Sequence, residues 1–388
     1  MSATSSSVHG SISSTVQQTA QALGFHLAGI TQVPEPGSEE EFSELTAFSQ
    51  WIAEGRAGEM HYLQRKDEQG AYLRSSLRVP FPWARSVIVC AVNYNSPQPY
   101  SQQPAPEETG WIARYAWSGQ PQNSTAAEQN QPPKQQSATL QPTATTLQPT
   151  DYHHVIRDRL EELSAKLQTQ LGTFTSRCFV DTGPLVERIY AKYAGLGWQG
   201  KNTCLIHDKI GSWFFLGVIV TSLELPQAEQ PAQMPDRCGS CTRCLDACPT
   251  QCLEPYQMDA SRCIAYLTIE KRGEIAEELQ AAIGRNVFGC DICQEVCPWN
   301  RRAPISNWPE LAARSELVNP ALEWLEGMDA SEYQKLFRAS PLSRSKHEGL
   351  QRNVAIAVRN QTAMEAKTTT QVPVVDDPPV PAPLLEVP

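Results

Sequence analysis

The chain reads as an α+β protein with a mixed N-terminal region, a cysteine-rich centre and a helical C-terminal end. Three observations predict this. Short helical periods alternate with β-branched runs up to about residue 223. Nine of the twelve cysteines then crowd between Cys238 and Cys297. Beyond Pro298, only short helical stretches follow. At 388 residues the chain has room for two or three domains and a sizeable core.

In chain order, residues 1–12 are Ser-rich and expected to be disordered, and residues 14–24 read as a short helix closed by Gly24. Phe25–Ile30 follows as a strand, and Phe42–Glu54 as a second helix. The run Ser86–Tyr94 has the length and β-branched content of a buried strand. This first part spans 13–118. Residues 119–150 are rich in Gln, Pro, Thr and Ser; with almost no large apolar side chains to offset the entropy of ordering, they are expected to form a disordered insert. The second part spans 151–230. It opens with Val155, Ile156, Leu160, Leu163, Leu167 and Leu171 at helical spacing. Phe179–Pro184 then reads as a strand turning into a helix over Leu185–Tyr193, with Pro184 at its first position. A Gly-rich loop leads to another strand within 211–223 and a Pro/Gln linker near 226–235. Residues 231–300 form the cysteine-rich domain, 301–362 a helical module, and 363–388 a Thr/Val/Pro tail expected to be disordered.

The cysteines carry most of the chemistry. The first run is Cys238-x2-Cys241-x2-Cys244-x3-Cys248-Pro249, and the second is Cys290-x2-Cys293-x3-Cys297-Pro298. A tight C-x2-C-x2-C turn gives three thiolates to one four-iron cluster, and the Cys before Pro crosses to the other cluster. Two such runs therefore predict a ferredoxin-like domain with two [4Fe-4S] clusters. Cys238, Cys241, Cys244 and Cys297 hold one; Cys248, Cys290 and Cys293 hold most of the other. Its fourth ligand is Cys263 or Cys252. Zinc ribbons built from the same C-x2-C pairs are the alternative, and the twin Cys-Pro endings argue against them. Disulfides are disfavoured because no secretory context accompanies the cysteines.

The loop Gly195-Leu-Gly197-Trp198-Gln-Gly200-Lys201-Asn202-Thr203 matches two phosphate-binding patterns in form. As G-x-G-x-x-G it follows a helix rather than a strand; as a Walker loop it has Asn202 where Ser or Thr reaches magnesium. What remains is a loop whose glycines allow close backbone approach, with Trp198 and Lys201 beside it. A cofactor-lining role is favoured over a plain turn. Asp181 is either a turn or cap residue, or a general acid partly desolvated among Phe179, Val180 and Pro184. On residue type alone, His153 and His154 favour a capping or surface role. Ile156 stands where the cobalamin-ligating pattern D-x-H-x-x-G requires Gly, so that motif is absent.

Composition narrows the function classes. The longest apolar run, Trp213–Val220, is far too short to span a bilayer, and Met1–Thr15 lacks the basic-then-apolar order of a signal peptide. A cytoplasmic protein with no membrane contact is expected. The net charge of −10 argues against nucleic acid coating the whole surface. Between Lys335 and Asn360, however, Lys335, Arg338, Arg344, Lys346, Arg352 and Arg359 face one acid, Glu348. That stretch suits phosphate contacts or a solvated helix surface.

These pieces together resemble the epoxyqueuosine reductase family of tRNA-modifying enzymes. The resemblance covers Leu23-Gly24-Phe25, Trp51–Gly55, Gly58-Glu59-Met60, Ala113–Trp117, Asp151-Tyr152-His153, Asp181–Pro184 with Glu187-Arg188, and Ala194–Thr203. It continues through both Cys-Pro runs, Arg262–Glu270, Phe288–Cys293, Pro298–Asn300 and Arg352-Asn353. Cys-Pro runs are common to ferredoxins; their combination with Asp-Thr-Gly-Pro and Gly-Leu-Gly-Trp-x-Gly-Lys-Asn is far more specific. The resemblance implies a cobalamin-binding α/β reductase domain, the two-cluster domain, and a HEAT-like tRNA-binding module. It implies reduction of epoxyqueuosine to queuosine at the wobble position of the anticodon, with loss of water and with electrons entering through the clusters. It also implies cobalamin bound without an axial His. By the same resemblance Asp181 is the proton donor and Cys263 the lone ligand, leaving Cys252 as an extra thiol. Tyr115, His153, Arg188, Gly195, Gly197, Trp198, Gly200, Lys201 and Asn202 line the cofactor pocket, and Arg338, Arg344, Lys346 and Arg352 meet tRNA. A flavodoxin- or ferredoxin-type donor and a monomeric state are expected. Two departures stand out, the 119–150 insert and the shortened helical end. The rivals are a reductive dehalogenase, which normally carries an export signal, and a non-catalytic electron-transfer module.

Overall fold

The structure is a computed structural model that describes residues 11–35, 37, 43–121 and 147–370. The first part contains α1 (Ile12–Ala22), β1 (Leu27–Gln32), α2 (Ser43–Ala53), β2 (Ser86–Asn93), β3 (Trp111–Ile112) and β4 (Ser118–Pro121). The second contains β5 (Leu147–Pro149), α3 (Tyr152–Leu171), β6 (Ser176–Phe179), α4 (Glu187–Tyr193), β7 (Trp198–Gln199), β8 (Leu205–Ile206) and β9 (Phe214–Thr221). The cysteine region holds α5 (Arg243–Asp246), β10 (Leu253–Glu254), β11 (Gln257–Met258), α6 (Ile264–Ile269), α7 (Glu277–Ile283), β12 (Asn286–Phe288) and α8 (Ile292–Glu295). The C-terminal end adds β13 (Ala312–Ala313), α9 (Leu322–Glu326), α10 (Ala330–Phe337) and α11 (Lys346–Thr370).

The scaffold is a four-stranded sheet in the order β1-β2-β9-β6. All its pairings are antiparallel. The word α/β, with its implication of parallel βαβ units, therefore does not describe this domain. Helices cover both faces, which is why β2 and β9 read as continuous apolar runs and are buried along their whole length. Their side chains alternate between two cores, as the pleat requires. Val87, Val89, Val218 and Val220 meet Leu45, Ile189 and Tyr190 of α2 and α4. Ile88, Cys90, Val92 and Ile219 meet Val16, Ala20, Ile156 and Leu160 of α1 and α3. Each such fully buried aliphatic side chain contributes about 1.5–3 kcal/mol. Gly217 sits inside β9 because a Cβ there would lie 2.8 Å from both Ile156 and Leu160.

Several expected boundaries move. The helix expected from Leu185 begins at Glu187, because Val186, at φ −106° and ψ 84°, is not helical, and Pro184 lies outside it. Residue 12, placed in a disordered N-terminus, opens α1, whose first turn is capped by the Ser11 hydroxyl accepting from the Ser14 amide. The insert is ordered at both edges. Gly119–Pro121 pairs with Leu147–Pro149, and β13 adds to β4 on the other side. A backbone ladder needs no apolar side chains, so composition alone conceals it. The Ser118 hydroxyl donates to the Thr150 carbonyl at 2.9 Å and closes the base of the ladder. Residues 122–146 lie outside the described residues. At the other end α11 runs on to Thr370, into the segment expected to be a tail; residues 371–388 lie outside the described residues.

The helical end does not stand apart. Leu322, Leu325, Phe337, Leu350 and Val354 share one core with Trp111, Trp117, Val287 and Phe288. β12 pairs in parallel with β3, and Asn353 of α11 donates to the carbonyls of Thr268 and Val287, both at 2.8 Å. Among the described residues, no helix is long and apolar enough to cross a membrane.

Candidate active site and cysteine centres

A cavity of about 940 Å³ opens between α2, α4, the β7–β8 hairpin and the segments around Met234–Asp236 and Tyr256–Met258. Phe48, Trp51, Leu185, Met234 and Met258 give it apolar walls, and Asp181, Arg74, Glu187 and Arg188 are its polar groups nearest the strand-to-helix turn. Arg188 donates to the Thr203 carbonyl at 2.8 Å. Arg74 holds the turn itself, donating to the carbonyls of Gly183 and Tyr62 at 2.9 and 3.0 Å. Across the cavity Glu44 pairs with Lys192 and accepts from the Tyr193 hydroxyl. Burial works against its charge, but these donors outweigh it and hold the Glu44 carboxyl below the ordinary range. Glu187 is the opposite case. Its Oε1 is buried with no hydrogen-bond partner, and burial, then the Asp181 charge, push its carboxyl well above the ordinary range.

Asp181 occupies the turn at φ 56°, a left-handed conformation costing on the order of 1 kcal/mol for a residue with a Cβ. It is exposed rather than partly desolvated as the sequence suggested. Phe179 turns inward to pack on Phe81 at 5.6 Å, and Val180 is buried in the sheet core, leaving Asp181 to face outward. The hydroxyl of Tyr152 donates to Asp181 Oδ2. Burial and then the Asp181 charge push the Tyr152 phenol well above its ordinary value, so it remains a donor. Tyr152 stacks on Phe215 at 3.9 Å and on His153 at 4.1 Å, and Tyr115 meets it edge-on at 6.2 Å. His153 is tied by Nδ1 to Asp151 Oδ1 at 2.5 Å. Tyr115 and His153 are not among the cavity's lining residues; they come to Asp181 through Tyr152. Sequence reasoning assigns Tyr152 no role. Its signal is a tyrosine in the first turn of a helix, on the buried face.

The Gly-rich loop divides. Trp198 lines the cavity, with Gln199 and Thr203 beside it. Gly195, Gly197, Gly200, Lys201 and Asn202 do not. A Cβ on Gly197 would lie 2.3 Å from the Ile206 carbonyl oxygen, and one on Gly200 2.5 Å from the Ile206 side chain, so these glycines close the β7–β8 hairpin. Gly195, at φ 79°, packs toward Pro231 and Ala232. The Lys201 ammonium donates to the carbonyls of Gly239 and Cys241 at 2.6 and 3.1 Å. The Asn202 amide donates to the Cys293 carbonyl at 3.2 Å.

Cys238, Cys241, Cys244 and Cys297 line a second cavity of about 220 Å³ together with Lys201, Arg237, Arg243 and Trp299. Four thiols around one void of that size fit the first four-iron cluster. Elsewhere Cys248 and Cys252 lie 3.5 Å apart, sulfur to sulfur. Cys252 also adjoins Cys263, and Cys204 adjoins Cys293. Cys204, Cys248, Cys252, Cys263, Cys290 and Cys293 thus gather in a second group of thiols, of which Cys204 escaped sequence reasoning. None of the twelve cysteines forms a disulfide. Among the described residues, no group of three Cys, His, Asp or Glu side chains could hold a single metal ion.

The basic stretch is less open than its charge suggests. Arg352 donates to the carbonyls of Leu267, Lys271 and Gly273, Arg344 grips Glu270 through two bonds of 2.9 and 2.8 Å, and Arg359 donates to Gln280. Lys335, Arg338, Arg344, Lys346 and Arg359 are all exposed, and Arg352 is half-buried.

A thiol-lined void beside a large mixed cavity is the arrangement against which relatives can be judged. Residues 237–300 match the family model described as "4Fe-4S double cluster binding domain". Residues 74–120 and 123–182 match the one described as "Epoxyqueuosine reductase QueG, DUF1730". The epoxyqueuosine reductase of a Synechocystis species is 39% identical over 331 residues, covering 84% of this chain and 98% of the relative. A crystal structure of epoxyqueuosine reductase with an epoxyqueuosine-modified tRNA-Tyr stem loop superposes with a TM-score of 0.70 at 26% identity, covering 90% of this chain and 82% of the other. The Bacillus subtilis epoxyqueuosine reductase, solved with its aspartate-bearing catalytic loop swung out of the active site, gives a TM-score of 0.69 at 25% identity, covering 91% and 82%. The chain belongs to the epoxyqueuosine reductase family, oxidoreductases of queuosine biosynthesis.

Proposed function

We propose that this oxidoreductase acts on epoxyqueuosine at the wobble position of a tRNA anticodon, binds cobalamin in the 940 Å³ cavity, and uses Asp181 as proton donor. The observation that carries the reading is the Asp181 carboxyl at the cavity wall, held by the buried Tyr152 hydroxyl. The cavity suits a large amphipathic cofactor. Its aromatic and Met walls fit the apolar edge of a macrocycle, and the partnerless Glu187 Oε1 suits an amide donor on its periphery. No described lining residue is a histidine, in keeping with cobalamin lacking an axial His from the protein. When bound, cobalamin supplies a cobalt centre that delivers two electrons, fed singly through the two [4Fe-4S] clusters.

The net change adds two electrons and two protons. Both carbon–oxygen bonds of the epoxide break, an alkene forms, and the oxygen leaves as water. Asp181 gives up a proton toward the departing oxygen, and the Tyr152 hydroxyl then donates to the carboxylate left behind. That charge-assisted bond is stronger after the transfer than before it, so the pair favours proton release. Arg74 keeps the turn in place through Gly183. Cys238, Cys241, Cys244 and Cys297 hold one cluster and Cys248, Cys263, Cys290 and Cys293 the other; the choice of Cys263 over Cys252 rests on the family resemblance. Exposed Arg338 and Lys346 meet the tRNA backbone. The protein works as a cytoplasmic monomer with a flavodoxin- or ferredoxin-type donor.

Purified protein reconstituted with iron and sulfide should be brown and hold eight irons, and it should bind cobalamin. Given a reductant, it should convert epoxyqueuosine-containing tRNA to queuosine. An Asp181→Asn variant that kept both cofactors and full turnover would remove the proton-donor role.

A further inference from the structure

Lys201 and Asn202 are adjacent, yet they reach two different cysteine loops. Lys201 projects from the β7–β8 hairpin into the first loop, where its ammonium donates to the carbonyls of Gly239 and Cys241 at 2.6 and 3.1 Å, and it lines the same void as Cys238, Cys241, Cys244 and Cys297. Asn202 is 3% exposed and borders the same void, but its side-chain polar atoms turn to the second loop. Its amide donates to the Cys293 carbonyl at 3.2 Å, while its Oδ1 accepts from the Cys204 amide at 3.2 Å. Three residues before Lys201, Trp198 lines the large cavity. One loop therefore touches the cavity and both cysteine centres. This also explains why it resembles a phosphate loop without being one: its lysine is committed to carbonyl oxygens of the protein.

We infer that this loop sets the reduction potentials of the two clusters separately, Lys201 acting on the first and Asn202 on the second. The inference rests on the reading of eight cysteines as ligands of two [4Fe-4S] clusters. Charge and hydrogen bonding around the ligating sulfurs decide a cluster's potential. A fixed positive charge beside the first site favours the reduced, more negative cluster and raises its potential. Asn202 offers the second loop only an N–H dipole, whose effect has the same sign and is smaller. Both are positioning residues: their side chains bond to carbonyl oxygens of the cysteine loops, and the Lys201 backbone N–H also reaches the Cys238 sulfur.

The test is an EPR-monitored redox titration of the reconstituted protein and its variants. Lys201→Met should lower the midpoint of one cluster and leave the other unmoved, and Lys201→Arg, which keeps the charge, should return it toward the wild-type value. Asn202→Leu, close in size but without the donor and without added charge, should lower the midpoint of the other cluster. Unchanged midpoints in Lys201→Met, or both variants moving the same cluster, would overturn the inference. If Asn202→Leu loses its cluster, the Lys201→Met and Lys201→Arg pair decides alone. Wild-type protein without eight irons would instead overturn the cluster reading beneath it.

Discussion

The cavity around Asp181 and the helical end around Arg352 both carry the charges expected of binding surfaces, and in each the structure divides those charges between groups tied to fixed partners and groups left exposed. In the cavity Arg74, Arg188 and the Glu44–Lys192 pair are tied to partners, while Asp181 is exposed and Glu187 keeps a buried oxygen without a partner. At the helical end Arg344, Arg352 and Arg359 are committed to partners, while Lys335, Arg338 and Lys346 are exposed. Arg352 joins α11 to the carbonyls around the end of α6, Arg344 is closed on Glu270, and Arg359 on Gln280. A local excess of basic residues is therefore not wholly available to a ligand: Arg352 is half-buried and spent on carbonyls, while the other five stay exposed. The difference is one of partners rather than of composition.

The largest expected effect lies on the cavity side. Asp181→Asn should lower kcat by about 10²–10⁴-fold, the range of a lost general acid, while cobalamin binding followed by its absorbance stays intact. On the helical side the contrast predicts a stability effect. Arg352→Ala leaves three carbonyls without their donor and should destabilise the fold by about 2–3 kcal/mol, read by denaturant titration. If Arg352→Ala instead left stability unchanged and weakened tRNA binding selectively, the assignment of Arg352 to the interior would fail. A double reversal, Arg338→Glu with Lys346→Glu, should weaken tRNA binding and flatten its salt dependence, by about one unit of slope for each phosphate that the protein no longer neutralises.

Glu187 offers the smallest and most specific test. Its carboxyl lies above the ordinary 4.5 in the fold, so the folded state holds that proton more tightly than the unfolded chain does. The stability it contributes is fully present below about pH 4 and is lost as pH rises through the folded value. Glu187→Gln should thus gain in Tm over the wild type on going from pH 5 to pH 8 in protein without cofactor. A difference flat with pH would contradict a buried neutral carboxyl.

Much of the scaffold is legible in the sequence because it depends on local pattern. The apolar runs of β2 and β9, the period of α3 and the spacing of the Cys-Pro runs each state their own context. What stays hidden depends on distant partners. Tyr152 meets Asp181 across 29 positions, and Arg352 meets Leu267 across 85. The edges of the insert escape a compositional reading because Gly119–Pro121 and Leu147–Pro149 are ordered by backbone bonds, to which composition is blind. Lys201 and Asn202 belong to the loop expected to approach a cofactor, but their neighbours are the cysteine loops. Close glycines allow backbone to approach something, and spacing does not say whether that is a cofactor or the next strand.

The most direct measurement of the central claim is mass analysis of nucleosides from epoxyqueuosine-containing tRNA incubated with reduced protein and cobalamin. Wild-type protein should yield queuosine, lighter by one oxygen, and Asp181→Asn with its full cofactor content should leave the epoxide in place. Queuosine formed at equal rates by both proteins, or by neither, would contradict the account.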